Sequence, residues 1–163
     1  MSKLIKIKIL SGIPGCGKST WARNFIDKNP DIKRINRDDL RKMFDDSRFT
    51  DGNESFVNKA KLSLVKCGID FDKDMIIDDT HCYTGYLVWF INEIRTYAIS
   101  INKLINIEVI DFDVDIDICV KRNNNRDNKV EKNAIYHMSK LKKEIDFNKL
   151  NINLHTIIKW NIS

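Results

Sequence analysis

Gly12, followed after four residues by Gly17-Lys18-Ser19, is a spacing that few folds accommodate, and it stands directly behind the alternation Leu4-Ile5-Lys6-Ile7-Lys8-Ile9-Leu10. The alternation predicts a strand. Lys18 to Lys28 predicts a helix with Trp21, Ala22, Phe25 and Ile26 turned inward, stopped by Asn29-Pro30. A strand, a turn of the form G-x-x-x-x-G-K-[ST] and a helix make a phosphate-binding P-loop. A triphosphate must be wrapped by donors at close range, so Gly12, Gly15 and Gly17 let the backbone aim its N–H groups at the oxygens. Ile13, Pro14, Cys16 and Thr20 complete the nucleotide-binding stretch. Lys18 is expected to bridge the β- and γ-phosphates, with the Ser19 hydroxyl on Mg²⁺.

The rest of the chain alternates between strand and helix. A short strand is expected near Lys33 to Asn36, and a helix from Glu54 to Cys67 with Phe56, Val57, Ala60, Leu64 and Val65 as its apolar stripe. Asp74 to Asp79 reads as a buried strand ending in carboxylates, and Leu87, Ile91, Ile94, Ala98 and Ile101 mark the next helix. Ile105 to Phe112 follows as a strand and Asp115 to Arg122 as a short helix. Val130, Ala134, Met138, Leu141 and Ile145 then form a helical stripe, and Thr156 to Trp160 a closing strand. The Asn-rich run from Asn123 to Asn128 reads as a mobile loop between arginines. Such alternation implies right-handed crossovers and a mainly parallel sheet covered on both faces, a three-layer αβα architecture of the P-loop NTPase type with a helical lid. Active sites in such sheets lie at the carboxyl ends of the strands.

At 163 residues, with two prolines and no linker, residues 1–163 read as a single domain. No apolar run approaches the roughly 18 residues of a membrane span. The first residues run straight into the first strand, which leaves no room for a secretory signal and points to a cytoplasmic protein. Cys16, Cys67, Cys82 and Cys119 stand far apart, as reduced thiols do. The net charge of +5 agrees with an anionic substrate without demanding one.

Three strand ends carry chemistry: Gly12 to Thr20, Asn36-Arg37-Asp38-Asp39-Leu40-Arg41, and Asp78-Asp79-Thr80-His81. The run Gly17-Lys18-Ser19-Thr20-Trp21-Ala22-Arg23, then Lys28-Asn29-Pro30, Ile35-Asn36-Arg37-Asp38-Asp39, Asp79-Thr80, Val120-Lys121-Arg122-Asn123 with Arg126 and, more loosely, Ala134 to Lys140 resemble the kinase domain of the bacteriophage-type polynucleotide kinase family over most of residues 4–145. The resemblance implies ATP or another nucleoside triphosphate as donor, Mg²⁺, and a nucleic-acid 5′-hydroxyl of DNA or RNA as acceptor. It implies Asp38 as the base that orients that hydroxyl, with Arg41 beside it. Asp79 and Thr80 would line the acceptor site, and Arg126, with Arg122, would close over the donor phosphates. His81-Cys82-Tyr83-Thr84-Gly85 departs from the family pattern after Asp-Thr.

Each residue also has a plainer reading. Asp38 suits an Asx turn or helix N-cap, and Asp39 is assigned to that cap. Asp79 suits a strand-end turn or water-mediated help to Mg²⁺, and Asp78 a place behind the site or facing solvent. Arg122 and Arg126 suit a solvated basic face. His81, His137 and His155 read as surface or packing residues, and Trp21 as core. Val109-Ile110-Asp111-Phe112-Asp113-Val114 matches a phosphatase nucleophile motif, but it falls inside the kinase-like region, so no 3′-phosphatase is expected. Two readings compete with the polynucleotide kinase: a kinase of small-molecule hydroxyls and a non-catalytic nucleotide-binding protein. A GTPase switch is disfavoured, because Asn148-Lys149-Leu150-Asn151 lacks the aspartate that reads guanine.

Overall fold

A computed structural model describes residues 3–159. Five strands form one sheet in the order β2-β3-β1-β4-β5, every neighbouring pair parallel. The strands are β1 (Leu4–Ser11), β2 (Lys33–Asn36), β3 (Met75–Asp78), β4 (Leu104–Phe112) and β5 (Leu154–Ile158). Between them run α1 (Lys18–Lys28), α2 (Arg37–Asp45), α3 (Asp51–Asp70), α4 (Thr84–Ser100), α5 (Ile116–Asn124) and α6 (Lys132–Lys143), with a 3₁₀ turn at Phe147–Lys149. This is the expected three-layer αβα arrangement.

The pleat of β1 explains the two cores. Ile5, Ile7 and Ile9 point to one face and pack with Val57, Val65 and Ile69 of α3 and Leu87, Phe90 and Ile94 of α4. Leu10 turns to the other face, where Ala22 of α1, Cys119 and Val120 of α5 and Ile135 of α6 meet Ile110 and Phe112. Midway along, β1 carries Lys8 on that second face, ion-paired with Glu108 of β4. In register, Ile9 stands beside Ile77 and Val109, Ser11 beside Asp111, and Asn36 beside Asp78. Ser11, Asn36, Asp78 and Asp111 therefore share the sheet's carboxyl edge, all buried.

Four local expectations are corrected. The buried stripe of α3 is Val57, Lys61, Leu62, Val65 and Ile69, while Phe56 and Leu64 face outward. In α6 the buried side chain is Ile135, between the positions of the expected stripe; Val130 and Ile145 lie outside the helix. The cap of α2 is Asn36, whose side chain accepts from the Asp39 N–H, so Asp39 is the capped residue and not the cap. The last strand starts at Leu154, earlier than expected, and Trp160 lies outside the described residues. The Asn-rich run is tied at its base: buried Asn123 donates to the Val130 carbonyl at 2.8 Å and accepts from the Val130 N–H at 3.0 Å. Among the described residues no helix is long and apolar enough to cross a membrane.

Candidate active site

The loop from Gly12 to Ser19 joins β1 to α1 and is built on backbone contacts. The Gly12 N–H donates to the Thr80 carbonyl at 2.9 Å, which ties the start of the loop to the end of β3. Gly15 and Gly17 take φ of +85° and +97°, a region that side chains other than glycine's rarely enter. A Cβ on Gly15 would lie 2.2 Å from the Cys119 carbonyl, so glycine here lets the loop seat directly on α5. Lys18 is buried, its ammonium donating to the Ile13 carbonyl at 3.0 Å across the loop. Burial works against that charge, but Cys16, Cys82 and the Asp78 carboxylate outweigh it and hold the lysine above its ordinary range. Burial also pushes the Cys82 thiol up to about 11 and that of Cys119 up to about 12. All four cysteines are free.

Asp78 ends β3, Asp79 follows it, and the two engage different partners. Asp78 accepts from the Ser19 hydroxyl at 3.1 Å through Oδ1. Its Oδ2 takes Arg34 Nε at 2.9 Å, Arg34 Nη2 at 2.6 Å and Asn36 Nδ2 at 3.0 Å. Of the two places expected for Asp78, solvent is excluded: the carboxylate is buried, behind the P-loop serine and in contact with it. Asp79 meets the Lys61 ammonium at 2.5 Å and Arg37 Nη2 at 3.1 Å, and accepts from the Thr80 N–H at 2.7 Å. Burial alone would raise the Asp79 pKa; Lys61 and Arg37 overcome it and hold the carboxyl well below the usual range.

From Asp79 a row of alternating charges runs outward. Arg37 Nη1 lies 3.7 Å from Glu54, Glu54 takes Arg41 Nη2 at 2.8 Å and its Nε as well, and Arg41 Nη1 reaches Asp38. Burial would raise the Glu54 pKa, but the Arg41 contacts lower it below the ordinary range. The row ends in solvent: the Asp38 side chain is 70% exposed, against 4% for Asp79. The geometry thus brings Gly12 to Thr20, Asp78, Asp79, Thr80, Arg41 and Asp38 into one connected edge. Arg122 lies in the last turn of α5, three residues beyond the Cys119 carbonyl on which Gly15 sits. Arg126 stands in the loop that follows, exposed, its backbone N–H on the Asn123 carbonyl.

Sequence reasoning missed Lys61, Glu54 and Arg34. Lys61 is fully buried, with its ammonium 4.8 Å from the Tyr86 ring centre and 4.7 Å from that of Phe90. The signal was its place four residues from both Val57 and Val65. His81 is a packing residue: it stacks on Phe90 and Tyr86, and Nδ1 lies 2.7 Å from the Leu10 carbonyl. Asp111, the first aspartate of the phosphatase-like motif, is paired with Lys142 of α6 at 2.6 Å. Trp21 is half-buried in the second core, stacked on Phe25.

Known structures share this arrangement. One chain of the Pnkp1/Rnl/Hen1 RNA repair complex superposes with a TM-score of 0.68 at 28% identity, over 90% of the present chain and 48% of its own. The present chain therefore spans about half the length of that relative. A fungal RNA kinase (TM-score 0.74, 14% identity, 100% of this chain and 78% of that one) has the same fold. So has a sugar kinase from Janibacter sp. HTCC2649 (TM-score 0.63, 11% identity, 96% and 86%). The fold is thus a kinase-type P-loop fold. A family model described as an AAA domain matches residues 7–146, most of the chain, and the protein belongs to that AAA domain family.

Proposed function

We propose that this protein is a polynucleotide 5′-hydroxyl kinase, transferring the γ-phosphoryl group of ATP or another nucleoside triphosphate to the 5′ end of DNA or RNA. The observation that carries the reading is the row of ion pairs that runs from Asp79, next to the P-loop serine's partner Asp78, through Arg37, Glu54 and Arg41 to the exposed carboxylate of Asp38. The likeness to an RNA-repair chain across most of this chain supports a nucleic acid as acceptor.

In this reading Gly12 to Thr20 wraps the donor phosphates with backbone N–H groups, and Lys18 leaves the Ile13 carbonyl for the β- and γ-phosphate oxygens. The hydroxyl of Ser19 and Oδ1 of Asp78 are hard oxygen donors, the kind that Mg²⁺ takes alongside substrate phosphates, so the residues fit that ion. When bound, Mg²⁺ neutralises charge developing on the phosphates. Asp38 orients the acceptor hydroxyl and accepts its proton. An aspartate is a weak base for an alcohol, but in a loose transition state the proton leaves late and positioning dominates. Arg41 holds Asp38 in place; Asp79 and Thr80 support the acceptor side; Arg126, with Arg122, covers the transferring group from α5 and its loop.

The test is transfer of labelled γ-phosphate to a 5′-hydroxyl oligonucleotide, with free nucleosides and sugars assayed in parallel. Transfer to the oligonucleotide, abolished in Lys18→Ala and strongly reduced in Asp38→Ala, is expected. Transfer confined to a nucleoside or sugar would replace this reading with a small-molecule kinase, and nucleotide binding without turnover would leave a sensor.

A further inference from the structure

The surface that adjoins Asp38 and Arg41 is unusually aromatic. Phe49 is 70% exposed and Phe56 58%, and Phe44 and Met43 are exposed with them. Lone exposed apolar side chains are ordinary, but three phenylalanines gathered on one helical hairpin mark a surface that something apolar covers. Phe44 and Phe56 meet edge to face, with ring centres 5.0 Å apart, across the α2–α3 pair. The Arg41 guanidinium that holds Asp38 lies over the Phe49 ring at 5.9 Å. The aromatic surface therefore continues directly from the group that positions the proposed base.

Charge indicates how an occupant would be held. From Arg37 to Lys59 the chain carries five Lys and Arg residues against six Asp and Glu, although the whole protein is at +5. The positive excess lies elsewhere, so a polyanion gains little at this patch through its phosphates. Flat, uncharged faces gain most. Nucleobases freed from a duplex have such faces, and they stack on aromatic side chains irrespective of sequence.

We infer that Phe49, which lies under the Arg41 guanidinium on the same α2–α3 hairpin as the Phe44–Phe56 pair, is a stacking subsite for the nucleobases at the 5′ end of a single-stranded acceptor. The inference rests on the kinase reading and adds to it a preference: an unpaired or overhanging 5′ end fits, whereas a base-paired end keeps its faces buried in the stack. Phe49→Ala is expected to raise KM for a single-stranded oligonucleotide about fivefold, the low end of what one stacked base contributes. The rise should be the same at about 50 and 200 mM salt, unlike the loss of a phosphate contact.

The deciding experiment pairs that variant with an acceptor whose first two nucleotides are abasic. The wild type should show the same rise in KM on the abasic acceptor, and Phe49→Ala should show no further rise. Equal losses in Phe49→Ala on intact and abasic acceptors would overturn the subsite. Phe71→Ala, equally exposed at the far end of α3, should leave KM unchanged; a similar rise there would also overturn it. Quenching of a 2-aminopurine placed at the 5′ end reads the stacking without any transfer. Quenching lost in Phe49→Ala upholds the subsite even if no phosphate moves and the kinase reading fails. A concentration-dependent dimer abolished by Phe49→Ser, with no quenching, would instead assign the patch to a second copy of the chain.

Discussion

The donor half and the acceptor half of the proposed site are built on opposite principles. The donor half is a continuous stretch of chain, Gly12 to Thr20, whose recognition groups are backbone N–H groups and one buried lysine, fixed by Gly12 on Thr80 and Gly15 against α5. The acceptor half has no such continuity. It is a row of side chains from α2, α3 and the residue that follows β3, each holding the next: Lys61, Asp79, Arg37, Glu54, Arg41, Asp38. Adjacent residues at the end of β3 divide the two, Asp78 serving Ser19 and Asp79 serving Lys61 and Arg37. A backbone cradle tolerates replacement of its outer side chains. A charge row fails when any inner member is lost.

The largest expected effect falls in the donor half. Lys18→Ala removes the ammonium that donates into the loop and should lower transfer about 10³-fold while leaving unfolding by urea nearly unchanged. A large loss of stability instead would mean that the lysine's bond to Ile13 is structural, and the contrast between the halves would narrow. The next effect tests the row at its buried end. Lys61→Met strands Asp79 with Arg37 as its remaining cation, so unfolding free energy should fall by about 3 kcal/mol. Adding Asp79→Asn should restore part of it, because the stranded charge is then gone. A double variant no more stable than Lys61→Met would show that the lysine acts by packing on Tyr86 and Phe90 alone.

At the exposed end the balance reverses. Asp38 is in solvent, so Asp38→Asn should leave the urea midpoint within error, since an exposed ion pair contributes little. Transfer should nonetheless drop about 10²-fold, the scale of one general base. Activity retained in this variant would move the base elsewhere in the row, and Asp79 would be the next carboxylate to test.

The two halves were unequally legible in the sequence, for the same physical reason. The cradle needs glycines and a lysine at fixed offsets along one segment, so Gly12, Gly15, Gly17, Lys18 and Ser19 declare themselves. The positions of the strands along the chain follow from the same regularity: β2, β3 and β4 were each anticipated to within a residue or two. Of the row, Asp38, Arg41 and Asp79 were anticipated through the family resemblance, but the links Glu54 and Lys61 were not, because only the fold brings α3 against α2 and the end of β3. Lys61 occupies a core position of α3, where a search for apolar residues skips a lysine and so rotates the predicted face onto Phe56 and Leu64. Asp79 was assigned to the acceptor side and Asp78 to a place behind the site or in solvent, but neighbouring side chains at a strand end diverge, and only the partners show that Asp78 is the one that reaches Ser19. Asn36 was overlooked as a cap because Asp39, three residues on, is an equally good capping type; the structure has Asp39 donating its N–H instead.

The smallest effect concerns the joint between the halves. His81 touches both: its Nδ1 lies on the Leu10 carbonyl of the donor strand, while its ring stacks on Phe90 and Tyr86 next to the Lys61 ammonium. Burial first, then the nearby ammonium, push its pKa down to about 3, so the folded protein keeps the ring neutral. The unfolded chain has a histidine near 6.5 and binds the proton more readily throughout the interval between the two values. Stability is therefore greatest above about pH 6.5 and falls as the pH drops toward 3, by about 1.4 kcal/mol per unit. Between pH 7 and pH 5 the loss is about 2 kcal/mol. Asp79 acts in a separate window: its depressed carboxyl contributes full stability above about pH 4 and loses it only in stronger acid. Urea titrations at pH 7 and 5 thus isolate the histidine. His81→Asn keeps a residue that tolerates φ of +43° and removes the titration, so its stability should be nearly flat over that interval. A slope that survives the substitution would locate the proton uptake elsewhere and leave the joint between donor and acceptor halves independent of pH.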